Sequence, residues 1–234
     1  DINATFVNPA GLGFYKTNEF VITPAFSFNN NKAKFRETNT ANSKNNFAFG
    51  TTGWVFGHSS GKDSRNSSAF SLAITQTANF NSEVRYKGLN NYSSFSEQFA
   101  EEFAKSGYTI DEVLDRTNSP FPYTSAPALY TYLIDTVTVN GIKQVKGAPE
   151  YILDAGQALQ QEMIKKTKGG MSEVSIGFAH NSKDKWFIGG AIGVPLVSYT
   201  SHTFFKESDT SNNTANYFNQ VEYTDDFKTT GMGF

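Results

Sequence analysis

The sequence predicts an all-β chain: an antiparallel transmembrane β-barrel, present as about six strands of a larger barrel, with a helical extracellular insertion. Three observations carry this prediction. Between Phe20 and Phe28 the residues alternate strictly, with Phe20, Ile22, Pro24, Phe26 and Phe28 on one parity and Val21, Thr23, Ala25 and Ser27 on the other. Alternate residues of a strand project to opposite faces, so one face is bulky and apolar and the other small or polar. Composition is the second observation: 22 Phe, 11 Tyr and 19 Gly in 234 residues, with 38% hydrophobic residues and a mean hydropathy of −0.43. This is β-rich and turn-rich. No run approaches the roughly 18 apolar residues of a spanning helix, whereas a barrel strand needs only about 9–11, half of which can be polar. The third observation is the distribution of connections, which emerges along the chain.

Residues 1–17 read as an irregular lead-in, with turn chemistry at Asn8-Pro9, Gly11 and Gly13. A first strand is expected over 18–29. Residues 30–45 are polar and charged and predict a solvated loop. A second strand follows at 45–57, a polar turn at 58–66, and a third, cleanly alternating strand at 68–80 with Phe70, Leu72, Ile74 and Phe80 on one parity. Up to this point the alternation fits a soluble sandwich with its large side chains inward as well as a barrel with them outward.

From about 93 the period changes. Ser94 with Glu97, and Thr109 with Glu112, have capping-box spacing. Phe95, Phe99 and Phe103 form a helical stripe, and a second amphipathic helix is expected from Pro149 to Lys166, with Ile152, Ala155, Leu159 and Met163 as its stripe and Gly169-Gly170 beyond its end. Strands resume at 171–180 and 185–204 around a tight turn at 181–184. A polar loop covers 206–216, and a last strand begins near Tyr217. Four regions result: 1–17, 18–80 with three strands, an insertion over 81–170, and 171–234 with three more strands. Antiparallel strands send successive connections to opposite ends of a sheet. The long connections, at 30–45, 81–170 and 206–216, then share one end, and the short turns share the other. Outer-membrane barrels segregate their connections in this way, and a sandwich has no reason to. Trp54 and Trp186, placed near the short turns, fit an interfacial girdle.

Other chemistry is sparse. The net charge of −2 offers no basic surplus for nucleic acid, and the absence of Cys removes disulfides and thiolate sites. His58, His180 and His202 have no metal-binding or triad context, and no nucleophile elbow or phosphate loop is present, so neither an enzyme activity nor a cofactor or metal is expected. The aromatic stripes of the insertion have two readings. They pack its helices, or they line an apolar groove in which Phe95, Phe99, Phe103, Tyr130, Leu133, Leu159 and Met163 are the candidate ligand contacts.

The segment NPAGLGF (8–14), directly followed by an alternating strand, and KDKWFIGGAIGVPLVSY (183–199) after a short turn resemble the FadL-type transporters of Bacteroidetes outer membranes, which include long-chain fatty-acid and TodX-like aromatic-hydrocarbon channels. The resemblance implies a barrel of about fourteen strands plugged by an N-terminal hatch, with Asn8, Pro9 and Ala10 where hatch meets wall. It also implies passive uptake of hydrophobic molecules that leave sideways through a kinked strand, outer-membrane lipid as surroundings, and further chain before Asp1 and after Phe234. The third strand has no Gly or Pro to mark such a kink. An accessory barrel that grips a protein partner through its extracellular insertion, as FadL-like barrels do in type IX secretion, is the alternative function.

Overall fold

The computed structural model describes residues 1–60, 63–211 and 217–233, with backbone alone at 63 and 64. The chain begins with a short helix α1 (Ala4–Val7) and a 3-10 turn (Pro9–Phe14). Strands β1 (Glu19–Val21), β2 (Pro24–Phe35), β3 (Thr38–Phe49), β4 (Thr52–Ser60), β5 (Asp63–Asn79) and β6 (Ser82–Asn90) follow. An outer unit then holds α2 (Glu97–Ser106), α3 (Ile110–Val113), α4 (Ser125–Tyr130), the hairpin β7 (Ile134–Val139) and β8 (Ile142–Gly147), and α5 (Glu150–Asp154). Three long strands close the chain: β9 (Leu159–Ser182), β10 (Trp186–Asp209) and β11 (Gln220–Met232).

The structure is mostly antiparallel β-sheet, as expected. The main sheet runs β1-β4-β5-β9-β10-β11, and β6 also pairs with β9. Because β9 pairs with β5 over its second half and with β6 over its first, β5 and β6 are two parts of one path along the same neighbour. The sheet is open: among the described residues β1 pairs only with β4, and β11 only with β10. The hairpin β2–β3 and the hairpin β7–β8 each form a separate two-stranded sheet.

Several expected boundaries are corrected. Residues 30–45 are not a loop. They are the distal halves of β2 and β3, turned at Arg36 with φ 53°. Their Asn, Lys and Thr side chains are polar on both faces, so no alternation marks them. The insertion is shorter than 81–170, because β6 and the start of β9 belong to the wall and leave 91–158. The helix expected over 149–166 stops at Asp154, and Gly156 at φ 75° ends that segment. Leu159 and Met163 lie on one face of β9, since a spacing of four satisfies a strand as well as a helix. β10 continues to Asp209 through part of the expected loop 206–216, of which 212–216 lie outside the described residues. Of the two capping boxes, Thr109–Glu112 is complete. At the other, Glu97 accepts from the Ser94 N–H at 2.8 Å, but the Ser94 hydroxyl turns elsewhere.

Two apolar clusters hold the molecule together. One is inside the outer unit, around Phe103, Val113, Leu129, Ile134, Ile152 and Leu159. The other joins the N-terminal segment to the sheet through Ile2, Leu12, Val55, Ala69, Ala73 and Ala179.

Candidate functional site

The two faces of the main sheet differ in kind. On one, the side chains are large, apolar and exposed: Phe20 at 53%, Phe70 at 45% and Ile192 at 73%, with Phe26 at 70% on the adjoining hairpin. On the other, they are small. Ser67, Ala69, Ser71 and Ala73 of β5 face Ser175, Gly177, Ala179 and Asn181 of β9, and all eight are buried.

The exposed apolar side chains form a slanting band. On β10 they run from Trp186 to Leu196, centred at Ala191, and on β1 and β2 they run from Phe20 to Phe28, centred at Pro24. The register carries Ala191 across through Gly177, Ser71 and Val55 to Glu19. The centre therefore climbs by 24 − 19 = 5 residues across four strand spacings. At ~3.3 Å per residue and ~4.8 Å per strand, the band is inclined to the strands at about 40° from the perpendicular. His58, Ser68 and His180 sit in one row at its lower margin, and the Ser68 hydroxyl lies 2.9 Å from His180 Nδ1. Trp186 stands beside the 183–185 turn as expected. Trp54 does not; it lies within the band against Phe20, ring centroids 5.0 Å apart.

The small-residue face is covered by residues 1–14. Ile2, Thr5 and Leu12 are buried on it, the Thr5 and Ser71 hydroxyls pair at 2.8 Å, and the Ser67 hydroxyl donates to the Gly13 carbonyl at 2.6 Å. Small residues are required here because backbone approaches backbone. A Cβ on Gly189 would lie 2.7 Å from the Ala10 nitrogen and the Pro9 carbonyl carbon. Asn8, Pro9 and Ala10 thus sit where the N-terminal segment meets β10.

The wall is interrupted at three connections. β1 gives way to β2 at 22–23, β3 to β4 at 50–51, and β5 to β6 at 80–81. The last break uses neither Gly nor Pro. Asn79 Oδ1 accepts from the Asn81 N–H at 2.9 Å, an Asx turn in which a side chain replaces a backbone acceptor. The β4–β5 ladder ends below the last break, at Thr52↔Ile74, and among the described residues the β2–β3 hairpin pairs only with itself. Among the described residues, side-chain contacts hold the hairpin to β6 and to the start of β9. Asn31 Nδ2 donates to the Glu83 carbonyl at 2.7 Å, Lys44 Nζ to the Thr167 carbonyl at 3.1 Å, and Phe35 stacks on Tyr86 at 4.7 Å. Asn42 Nδ2 and both polar atoms of the Asn46 side chain are buried in this region without a hydrogen-bond partner among the described residues.

Above the break, the face continuous with the covered one carries aromatic groups. The ring of Phe95 lies 4.7 Å from Phe205, 5.5 Å from Tyr223 and 5.1 Å from Phe99. Nearer the break, Tyr199 meets Phe80 at 5.7 Å and Phe227 at 6.1 Å. Thr203, Lys165 and Asp225 share one row between the two groups. Beside Phe95 lies Glu207, fully buried. Its carboxylate accepts from the Ser94 hydroxyl at 2.7 Å, the Phe95 N–H at 3.0 Å and Gln161 Nε2 at 2.5 Å. Burial pushes its pKa above the usual carboxyl range despite these donors, and the nearby Glu97 adds to the rise.

The seven candidate contacts of the insertion do not form one groove. Phe103, Leu133 and Leu159 are core. Tyr130 is exposed, at the rim of a separate shallow cavity with Val113 and Leu114. Phe95 and Phe99 reach the aromatic group at Phe205, and Met163 pairs with Phe205 in the sheet. Leu133 also borders a cavity of about 990 Å³ between the outer unit and residues 217–222, lined in part by Tyr132, Lys146, Tyr151 and Val221. Sequence reasoning missed Phe205, Tyr199, Tyr223, Phe227 and Glu207. The parity of Phe205 with Tyr199 was a readable signal; the burial of Glu207 was not.

No protein-family model matches the chain, nor does any curated protein or any solved structure.

Proposed function

We propose that this chain is a wall segment, with its plug, of a passive channel that takes hydrophobic small molecules, long-chain fatty acids or aromatic hydrocarbons, across a bacterial outer membrane. The carrying observation is the two-faced sheet, with bulky apolar residues exposed on one side and small ones covered by residues 1–14 on the other. Fully burying one large apolar side chain is worth about 1.5–3 kcal/mol. Over this half-exposed face the sum is on the order of 10 kcal/mol, as large as the whole stability of a typical domain. Such a face requires a cover, and acyl chains supply one. The slant of about 40° falls in the 35–45° tilt of barrel strands. The exposed run from Trp186 to Leu196 then projects to about 25 Å, the height of a barrel's apolar band.

In this reading the small-residue face looks into the barrel and residues 1–14 are the hatch. Substrate meets Phe95, Phe99, Phe205 and Tyr223 at the outer end, moves toward Phe227, Tyr199 and Phe80, and leaves through the seam between the β2–β3 hairpin and β6. The seam suits an exit because no backbone ladder has to be broken to part it.

The test exploits the lack of native Cys. Asn31→Cys with Ser82→Cys, joined by a short bis-maleimide, staples the seam in cells carrying the intact protein. Uptake of a labelled long-chain fatty acid should exceed that of cells lacking the protein, and stapling should abolish the excess. Equal uptake with and without the protein overturns the channel; unchanged uptake after stapling overturns the sideways exit alone.

The exposed tyrosines of the outer unit, Tyr123 at 88% and Tyr132 at 76%, favour a second reading, an accessory barrel that docks a protein through this unit. It predicts no uptake and a complex that survives extraction.

A further inference from the structure

Above the apolar band, the same exposed face becomes basic. Lys228 follows four residues above Met232 on β11, Lys32 four above Phe28 on β2, and Lys168 six above Val174 on β9. The densest part lies on the three long strands. Lys168 and Lys228 both pair with Thr200 from opposite sides, so the three side chains share one row of the exposed face. Two strand spacings separate the lysines by ~10 Å at the backbone. Lys side chains reach far enough to bring both ammonium groups over the threonine hydroxyl. Lys166 and His202 occupy the next row up.

The rows differ in how their charge is met. Higher on the face Arg85 pairs with Glu162 at 2.6 Å and Lys206 with Glu222 at 3.0 Å, and His202 Nδ1 lies 2.5 Å from Asp226, whereas Lys166 has no carboxylate within ion-pair distance among the described residues. Neither Lys168 nor Lys228 has a carboxylate within ion-pair distance among the described residues, and both are exposed. Three unpaired lysines of the long strands, Lys168 and Lys228 in one row and Lys166 in the next, therefore lie just above the apolar band. A ligand that covers both features has apolar chains and, about 10 Å higher, an anionic head rich in acceptors. A phosphate has three acceptor oxygens, enough for two ammonium groups and a hydroxyl at once.

We propose that Lys168, Thr200 and Lys228, supported by Lys166, form a docking site for the phosphate of an outer-leaflet lipid whose acyl chains lie on Leu196 and Met232. This rests on the channel reading only in requiring that the apolar band faces lipid. Charge complementarity next to that band selects a lipid phosphate over a soluble anion, and burial of the chains would anchor what two exposed lysines alone bind weakly.

The intact protein would be reconstituted in phosphatidylcholine vesicles doped with lipid A or with the same lipid stripped of its phosphates, then extracted and analysed by native mass spectrometry. Phosphorylated lipid A should be retained about tenfold or more over the stripped form, and Lys168→Gln with Lys228→Gln should remove that preference. The pair Lys87→Gln with Lys206→Gln, in the neutralised row, should leave it intact. Equal retention of both lipids, or an unaltered preference in the Lys168/Lys228 variant, overturns the site while the channel stands. Displacement of the lipid by millimolar inorganic phosphate also overturns it, since the site would then read a free anion. Failure of the protein to enter vesicles at all overturns the channel reading instead.

Discussion

Replacing Glu207 with Ala tests how the outer unit is fastened to the wall. The carboxylate joins three separate pieces: the Ser94–Phe95 segment that opens the insertion, Gln161 on β9, and its own strand β10. Alanine leaves the Phe95 N–H without its acceptor and removes one of the two acceptors of Gln161 Nε2, which keeps the Ser93 carbonyl at 3.2 Å. Ser94 retains Ser96, whose hydroxyl is 2.9 Å away. A hydrogen bond to a charged group is worth about 1.5–3 kcal/mol. Two such losses, offset by release of a desolvated carboxylate, give a net cost of about 2 kcal/mol. That corresponds to a roughly 30-fold rise in local opening, with 1.4 kcal/mol per factor of ten. Amide hydrogen exchange reads it directly, because the Phe95 N–H is one of the donors. Exchange at Phe95 should quicken about 30-fold while Val55, in the distant cluster under the N-terminal segment, stays unchanged. The pH dependence follows from the raised pKa. The folded state holds this proton more tightly than the unfolded one, so the contribution is fully present below the ordinary value of 4.5 and is lost as pH rises through the folded pKa. After correction for intrinsic exchange, protection at Phe95 should fall with rising pH in that window. Glu207→Gln should flatten the dependence, and Glu97→Gln should narrow it by removing a like charge. Unchanged exchange at Phe95 in the alanine variant would refute the clamp.

Two more predictions address the faces of the sheet. Phe70→Lys places a charge within the apolar band and should cost about 2–4 kcal/mol in folding into vesicles, whereas Thr224→Lys on the same face above the band should cost nothing measurable; equal costs would contradict a lipid-facing band. Gly189→Ala puts a methyl group against the backbone of Pro9 and Ala10. Limited proteolysis should then cut residues 1–14 faster, and an unchanged rate would mean that this contact does not seat the segment.

What the sequence disclosed depended on whether a strand's two faces differ chemically. In β5, the second half of β9 and the first half of β10, large apolar residues alternate with Ser, Gly and Ala. That parity was readable, and Phe20, Phe26, Phe70 and Ile192 stand on the exposed face. In distal β2 and β3 both faces are polar, so period-2 patterning carries no signal. The stripe Ile152, Ala155, Leu159, Met163 mixed one real helical turn with one strand face. The break at 80–81 was written in Asn79 and Asn81 rather than in Gly or Pro. Glu207 could not be singled out because its role arises from residues 94 and 161, which only the register brings together.

The same contrast bears on why the chain needs both halves of its long strands. The lower halves are apolar and exposed on one face and crowded on the other, where the N-terminal segment packs against them. The upper halves are polar outside, which permits the strands to leave the apolar band and carry the insertion beyond it. Their inner face is then free to bear large aromatic residues, because no plug backbone approaches it: Phe205 and Tyr199 occupy the parity that Gly189 and Gly193 hold below. In the proposed channel, with the N-terminal segment moved off the lower face, a molecule passing from Phe205 toward Tyr199 would next meet Val197 and Pro195 and then a lining of Gly and Ala, with little side chain to detain it. Under that proposal, a path that is sticky at its outer end and smooth further down would load at low concentration and release inward, with the break at 80–81 lying near the row of Tyr199.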